Sequence, residues 1–488
     1  MDVLFVASEV APFAKSGGLG DVAAALPRAL AEKGLRLSVV LPRYGSVDPD
    51  RMGLERLPRD LAVRGERFRL FVRRGKPDVY LVDHPGFFGG RPGLYGERGR
   101  DYPDNPRRFA FFSRAALEVP RAIGRPSALV HLNDWQTAIA AWSLSAEHRT
   151  DPFLAGARSV FTIHNLAYQG LFSKRAMGEA GLPWELFRYD VGVEFHDQVN
   201  FMKAGLVFGD ALTTVSPNYA REILTVEGGY GLDTVLRTRS GSLHGILNGI
   251  DVEAWDPSRD AHLPARYDPE HLGGKAECKA ALQRELGLPV RPGVPLLGFV
   301  GRLAEQKGVD LLASVLPRLL ASREVELALL GNGEPAAEEL FARVAAAVPD
   351  RVAVRIGFDE GLAHRIEAGS DLFLMPSRFE PCGLNQLYSL RYGTPPLVRA
   401  VGGLADTVED YDGWRRGTGF AFGPPEAKAL LTAVLRALDV WRDRRAWRGI
   451  QERGMWQDFS WEKSAARYQT LYRTLRSAPR GRAARPRS

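Results

Sequence analysis

Two cations and one carboxylate, Arg302, Lys307 and Glu380, stand just past short apolar runs in the second half of the chain. Leu296-Leu297-Gly298-Phe299-Val300-Gly301 leads into Arg302, and Lys307 follows in Ala304-Glu305-Gln306-Lys307-Gly308. Asp371-Leu372-Phe373-Leu374-Met375-Pro376 leads to Glu380-Pro381-Cys382-Gly383-Leu384. In parallel α/β sheets, ligands bind beyond the carboxyl ends of strands, where helices begin. Two fixed positive charges at such an edge suit a diphosphate leaving group and make a metal unnecessary. A carboxylate after another strand of the same sheet suits sugar hydroxyls. The combination reads as a nucleotide-sugar site. Most Arg and Lys at a helix start are merely solvated, and an acid there only complements the helix dipole. Gly301 and Gly308, which bracket the two cations, favour the chemical reading.

The first half carries a second group of candidates. Lys15-Ser16-Gly17-Gly18-Leu19-Gly20-Asp21 forms the first turn from strand to helix, where paired glycines let the backbone approach a ligand closely. A tight turn that needs glycine for geometry alone is the plainer reading, and the loop does not match the G-x-G-x-x-G dinucleotide fingerprint. His164 and Asp134 fall just past successive strand-like runs, in Ile163-His164-Asn165 and Leu132-Asn133-Asp134-Trp135, which places them at one sheet edge. The nine histidines never appear at metal-ligand spacing, so no metal is expected. Asp48-Pro49-Asp50 and Asp410-Tyr411-Asp412 have the form of a metal-sugar triplet but lie in turn-like sequence, and read as surface loops.

These residues need two α/β scaffolds. Strand candidates in the first half cover 3–8, 37–41, 79–82, 128–132, 159–163 and 211–215, with helical patterns between several of them. From 249 to 269 the periodicity loosens and prolines punctuate the chain, as at a hinge. A second series follows at 296–300, 325–330, 352–356, 372–375 and 396–399, and the last helix at 462–475. Short apolar runs alternating with helices favour parallel, doubly wound sheets. A length of 488 residues exceeds what one core supports, and 45% hydrophobic with 25% charged residues is ordinary for a globular protein. No run approaches the roughly 20 apolar residues of a membrane span, and the N-terminus starts directly with a strand-like run, so a cytoplasmic protein is expected. Two distant cysteines give no disulfide framework. The net charge of +7 is concentrated at the C-terminal end, where 473–488 holds six arginines and no acid. That tail reads as disordered, and the nearly neutral body argues against a nucleic-acid partner.

Lys15-Ser16-Gly17-Gly18-Leu19, the segment His164 to Gly170, Asn248-Gly249-Ile250-Asp251, Gly301-Arg302-Leu303 with Gln306-Lys307-Gly308, Glu380-Pro381-Cys382-Gly383-Leu384, and Gly402-Gly403-Leu404-Ala405-Asp406-Thr407 resemble the bacterial glycogen synthases and plant starch synthases. The motifs come in family order over nearly the whole chain. The resemblance implies a GT-B fold, two Rossmann-like domains facing across a cleft, with the last helix crossing back to the first domain. It implies domains at 1–250 and 251–457, a crossover helix at 458–476 and a basic tail at 477–488. It further implies a retaining transfer of glucose from ADP-glucose to the non-reducing end of an α-1,4-glucan such as glycogen, with no cofactor and no membrane partner. On this resemblance Arg302 and Lys307 hold the diphosphate, and Glu380 supports the glucose. His164, Asp134 and Asn248 line the sugar and acceptor side. Lys15, Gly17, Gly18 and Asp21 bind substrate from the first domain, as do Cys382, Gly383, Leu384, Gly402 and Gly403 from the second. The chain departs from the family pattern at Val401 and Asn385, where relatives often carry threonine, and at Asn133, where some bacterial members carry histidine.

Three other classes compete. A dinucleotide-dependent oxidoreductase shares the architecture but lacks its glycine fingerprint here. A phosphorylase needs a lysine for a covalent cofactor, for which no motif speaks. A glucan-binding protein without catalysis is the plainest alternative, and titration with ADP by calorimetry separates these classes.

Overall fold

Seven strands of the first half pair in parallel, in the spatial order Asp78–Asp83, Arg36–Pro42, Asp2–Val6, Leu129–Asn133, Arg158–Ile163, Ala211–Thr214 and Leu243–Gly245. They belong to a computed structural model that describes residues 1–97 and 99–478. Chain order reverses beside the first strand: Asp2–Val6 lies between Arg36–Pro42, which follows it in sequence, and the much later Leu129–Asn133. The edge beyond Asp78–Asp83 is not parallel. Glu66–Arg73 adds there antiparallel, turning Phe68, Leu70 and Val72 inward and its arginines outward. Helix Gly18–Glu32 packs on the sheet through Val22, Ala23, Leu26 and Leu30.

The second half repeats the plan with six strands, all parallel: Val352–Ile356, Glu326–Gly331, Leu296–Val300, Leu372–Met375, Pro396–Arg399 and Phe420–Phe422. Again the order reverses beside the first strand of the series, between Leu296–Val300 and Leu372–Met375. Successive side chains of a strand point to opposite faces. Leu297, Phe299, Leu327, Leu329, Leu372 and Leu374 therefore enter one core, with helices Val309–Ser322 and Ala427–Arg442. Leu296, Ala328, Leu330, Phe373 and Met375 enter the other, with helices Gly273–Leu286 and Glu360–Gly369. Both faces are covered, so the runs are apolar throughout instead of alternating.

Contacts divide the chain into two units, Met1–Gly249 together with the segment from Trp461 onward, and Ile250–Ser460. The proline-punctuated segment that the sequence marks as a hinge is built firmly into the second unit. The Trp255 ring stacks on His364 and Tyr388, each at 3.7 Å between centroids. Buried Asp260 accepts from Tyr392 Oη at 2.6 Å and lies 2.8 Å from His364 Nδ1. Ile250 donates its N–H to Phe459 O at 2.9 Å, so the segments entering and leaving this unit run side by side.

Helix Trp461–Ser477 packs on Gly18–Glu32 in the first unit and inserts Tyr468 and Tyr472. Of the expected basic tail, Ser477 ends this helix, and residues 479–488 lie outside the described residues. Among the described residues no helix is long and apolar enough to cross a membrane. Tyr472 Oη meets buried His131 Nδ1 at 2.6 Å, and His131 Nε2 meets Thr162 Oγ1 at 2.6 Å. Burial, with His164 nearby, lowers His131 from 6.5 to about 3, so its ring is neutral. The unfolded chain takes up a proton below 6.5 that the folded chain refuses, so stability falls as pH drops from 6.5 toward 3.

Tyr472→Phe leaves a buried imidazole nitrogen unsatisfied and is expected to cost about 1–3 kcal/mol. Denaturant unfolding at pH 7.5 measures this directly, with activity per folded molecule unchanged.

Candidate functional site

Both groups of candidates lie at the carboxyl edge of their sheet, and Lys15, Asp134, Arg302, Lys307 and Glu380 lie where chain order reverses. Such a reversal opens a crevice, because the connections from the two adjacent strands run to opposite faces. In the second unit Arg302 and Lys307 follow Leu296–Val300, and Glu380 follows its neighbour Leu372–Met375. Lys307 Nζ lies 2.6 Å from Glu380 Oε2, which also accepts from Ser377 Oγ at 3.0 Å. Glu380 is only 6% exposed, so its carboxylate is held by this pairing and not by water. Arg302 is exposed and donates to Gln306 Oε1 at 2.9 Å, on the turn between the two cations.

Three backbone crossings hold this edge. Arg378 N–H donates to Gln306 O at 2.8 Å, Leu303 N–H to Asn332 O at 2.8 Å, and Gly403 N–H to Glu380 O at 3.1 Å. The loops approach too closely for side chains. A Cβ on Gly308, whose φ is +67°, would overlap the Pro376 carbonyl, and one on Gly402 would overlap that of Glu380. Gly402 and Gly403 therefore seat the Glu380 main chain. Cys382 is buried and its carbonyl accepts from Gln386 Nε2 at 3.0 Å. Gly383 turns with φ +72°, and Leu384 precedes helix Asn385–Arg391. Asn385 donates to Val300 O at 2.7 Å, tying that helix to the end of the first strand.

In the first unit the reversal lies between Asp2–Val6 and Leu129–Asn133, and Lys15 and Asp134 follow these strands. Asp134 has φ +56° and ψ −179°, a region that side chains rarely adopt. Its Oδ1 accepts from His164 N–H at 2.7 Å. Burial pushes the Asp134 carboxyl up to about 7 against the hydrogen bonds from His164 and Asn165, and the Glu9 carboxylate adds to the rise. The Asn133 amide donates to Val6 O at 2.9 Å, so its Oδ1 faces His164 Nε2 at 2.9 Å and must accept. That assigns the proton to Nε2 and leaves Nδ1 as an acceptor. Burial lowers His164 to about 3, so the ring is neutral at physiological pH. Asn248, 5% exposed, follows strand Leu243–Gly245 and keeps an Oδ1 without a protein partner among the described residues.

The glycine turn differs from an empty cradle. Lys15 Nζ pairs with Asp21 at 2.8 Å, and the N–H groups of Ser16 and Gly17 are directed to Glu9, not to an open space before Gly18. The sequence reading passed over Glu9, and also over Phe358, which is 81% exposed just past strand Val352–Ile356. The signal for each was the one used for Arg302, a chemically capable side chain within three residues of a strand's end. Asp48, Asp50 and Asp412 are exposed loop acids, and Asp410 pairs with Arg436 at 2.5 Å. Among the described residues one group of acids and histidine has metal-ligand spacing, Asp268, Glu270 and His271, which lies in the segment entering the second unit, with Glu270 and His271 exposed and Asp268 half-buried.

The family model for the starch synthase catalytic domain matches residues 2–238, and that for group 1 glycosyl transferases matches residues 287–452. A glycogen synthase of Anaeromyxobacter dehalogenans is 67% identical over 97% of this chain and 100% of its own length. One of Myxococcus xanthus is 50% identical over 97% of this chain and 99% of its own. Among solved structures, the catalytic domain of starch synthase IV from Arabidopsis thaliana, bound to ADP and acarbose, superposes with a TM-score of 0.89 at 37% identity, covering 98% of this chain and 99% of that one. Doubly wound sheets that each reverse beside their first strand, and these full-length likenesses, have one reading: the chain belongs to the glycogen synthase and starch synthase family of GT-B glycosyltransferases.

Proposed function

We propose that this chain transfers glucose from ADP-glucose to the 4-hydroxyl at the non-reducing end of an α-1,4-glucan, in the cytoplasm, with retained anomeric configuration and without a metal. The observation that carries the reading is the meeting of Lys307 and Glu380 at the strand reversal of the second unit, with Arg302 on the same turn. A lysine ammonium has three N–H donors. One serves Glu380, and two remain for phosphate oxygens.

Arg302 and Lys307 neutralise the departing ADP. Glu380, fixed by Lys307 and Ser377, accepts from glucose hydroxyls and supports positive charge at the anomeric carbon. Retention by a covalent intermediate needs a nucleophilic carboxylate about 5–5.5 Å from an acid–base partner. The reading instead uses front-face substitution, in which an oxygen of the leaving phosphate takes the proton of the incoming hydroxyl. Neutral His164 accepts a sugar hydroxyl at Nδ1, as Asn248 does at its unpartnered Oδ1. Asp134 orients the acceptor sugar, and Lys15 and Gly18 bind the sugar nucleotide. Phe358, exposed past the carboxyl end of Val352–Ile356 in the same sheet, offers an aromatic face on which a nucleobase stacks.

Arg302→Ala and Lys307→Ala are each expected to lower kcat by about 10²–10³, with circular dichroism unchanged; the melting temperature should hold for exposed Arg302→Ala and fall for Lys307→Ala, which leaves buried Glu380 without its cation. Wild-type turnover in either variant removes the leaving-group role. Purified protein given glycogen with radiolabelled ADP-glucose or UDP-glucose should build the ADP-linked label into polymer, and incorporation of the UDP-linked glucose alone refutes the nucleotide assignment. Asp134→Asn keeps the acceptor oxygen for His164 while removing a half-buried charge held in unfavourable backbone. Because its folded value near 7 exceeds 3.8, ionised Asp134 weakens the fold above pH 3.8, fully so above 7. The variant should therefore melt several degrees higher at pH 8 while losing most of its turnover, and unchanged turnover would remove Asp134 from the site.

A further inference from the structure

Glu9 lies three residues beyond strand Asp2–Val6 and is 3% exposed. A carboxylate so far from water persists only where other groups replace its hydration. No lysine, arginine or histidine pairs with it among the described residues; hydrogen-bond donors do. Glu9 Oε2 accepts from Ser16 N–H at 2.5 Å and Gly17 N–H at 3.3 Å. Glu9 Oε1 accepts from Ser16 Oγ at 2.7 Å and Tyr95 Oη at 2.6 Å. The Tyr95 proton is committed to Glu9, so Ser8 Oγ, 2.8 Å from Tyr95 Oη, donates to the phenol. Helix Gly18–Glu32 starts at the next residue and directs its positive dipole end toward the same carboxylate.

All but one of these four bonds to Glu9 come from the turn that carries Lys15. The exposed turn has little else to fix it: Gly17, the residue capping the helix, has no side chain to bond the first helical N–H groups. Asp21 holds the ammonium of Lys15 at 2.8 Å, whereas Glu9 holds the backbone from which that side chain springs. We infer that Glu9 is a positioning residue of the transfer reaction, a buried anion around which the Lys15-Ser16-Gly17 turn is wrapped so that Lys15 is presented to the sugar nucleotide. The inference rests on the assignment of Lys15 to the sugar nucleotide made above. It gives Glu9 no contact with substrate, so its main effect on rate passes through Lys15, beside the smaller influence of its charge on Asp134.

A double-mutant cycle on the full-length chain tests this, with kcat and KM for ADP-glucose measured at saturating glycogen. Glu9→Gln turns one carboxylate oxygen into an amide that faces donors. It should lower kcat/KM by about 10²-fold, the order expected for misplacing one group by about an ångström, with a melting temperature within a few degrees of the unsubstituted chain. In a Lys15→Ala background the same substitution should cause little further loss. Equal losses in both backgrounds, or unaltered kinetics for Glu9→Gln alone, overturn the inference while leaving the assignment of Lys15 intact. Unaltered kinetics for Lys15→Ala alone overturn that assignment and this inference with it. If Glu9→Gln does not fold, Ser16→Ala takes its place in the cycle: a smaller loss that disappears in the Lys15→Ala background supports the inference, and one that persists overturns it.

Discussion

Reversal of chain order beside a sheet's first strand is the constraint from which the chemistry of this protein follows. Every strand of the second sheet, and seven of the first, run in parallel, so all their carboxyl ends open on one edge. The connections leaving two adjacent strands cover opposite faces only at the reversal, and only there is the edge unobstructed. Arg302, Lys307 and Glu380 cluster at that point in one unit, and Glu9, Lys15 and Asp134 in the other. Charged side chains can gather there because the buried strands beneath them are rigid and their own backbone is satisfied.

Gathering charge at one place has structural costs, and the fold meets them locally. Loops at the second reversal pass so closely that Gly308, Gly402 and Gly403 leave no room for a Cβ, which converts flexible turns into a clasp around Glu380. At the first reversal Asp134 keeps a conformation suited to glycine, held by the main chain of His164 and by Thr162 O, which accepts its N–H at 3.0 Å. Strain of this kind persists only where neighbours over-determine it. The hexosyltransferase thus holds these candidate site residues on backbone fixed by contacts between neighbouring loops.

Much of this was legible in the sequence. Buried parallel strands are apolar on both faces, so runs such as Leu296–Val300 and Leu372–Met375 declared themselves, and with them the positions of Arg302 and Glu380. Glu66–Arg73 did not, because its outward arginines interrupt the run, and an antiparallel edge strand alternates instead of staying apolar. The stretch from Ile250 to Leu272 looked loose because its order comes from partners far away in sequence: Tyr392 for Asp260 and Tyr267, His364 for Trp255. Glu9 stood at a strand's end as Arg302 does, but what it holds could not be read from its neighbours. Nothing in Ser8-Glu9-Val10 announces that Tyr95 and the Ser16 turn will close over it. Patterns within a few residues are readable, whereas polar partnerships across dozens of residues are not.

The first sheet has its final polar contact supplied by the last described helix, since His131 at its centre bonds Tyr472. During synthesis the segment Ile250–Ser460 emerges whole before Trp461 leaves the ribosome, although the strands of the other unit were made first. Domains generally fold as units while the chain is made. Here the earlier-made unit must wait with an unfilled groove and a buried imidazole lacking its phenol, so the later-made unit is the one able to finish first. A chain ending at Ser460 would therefore hold the whole of the second unit, while His131 of the first kept no partner from the last helix.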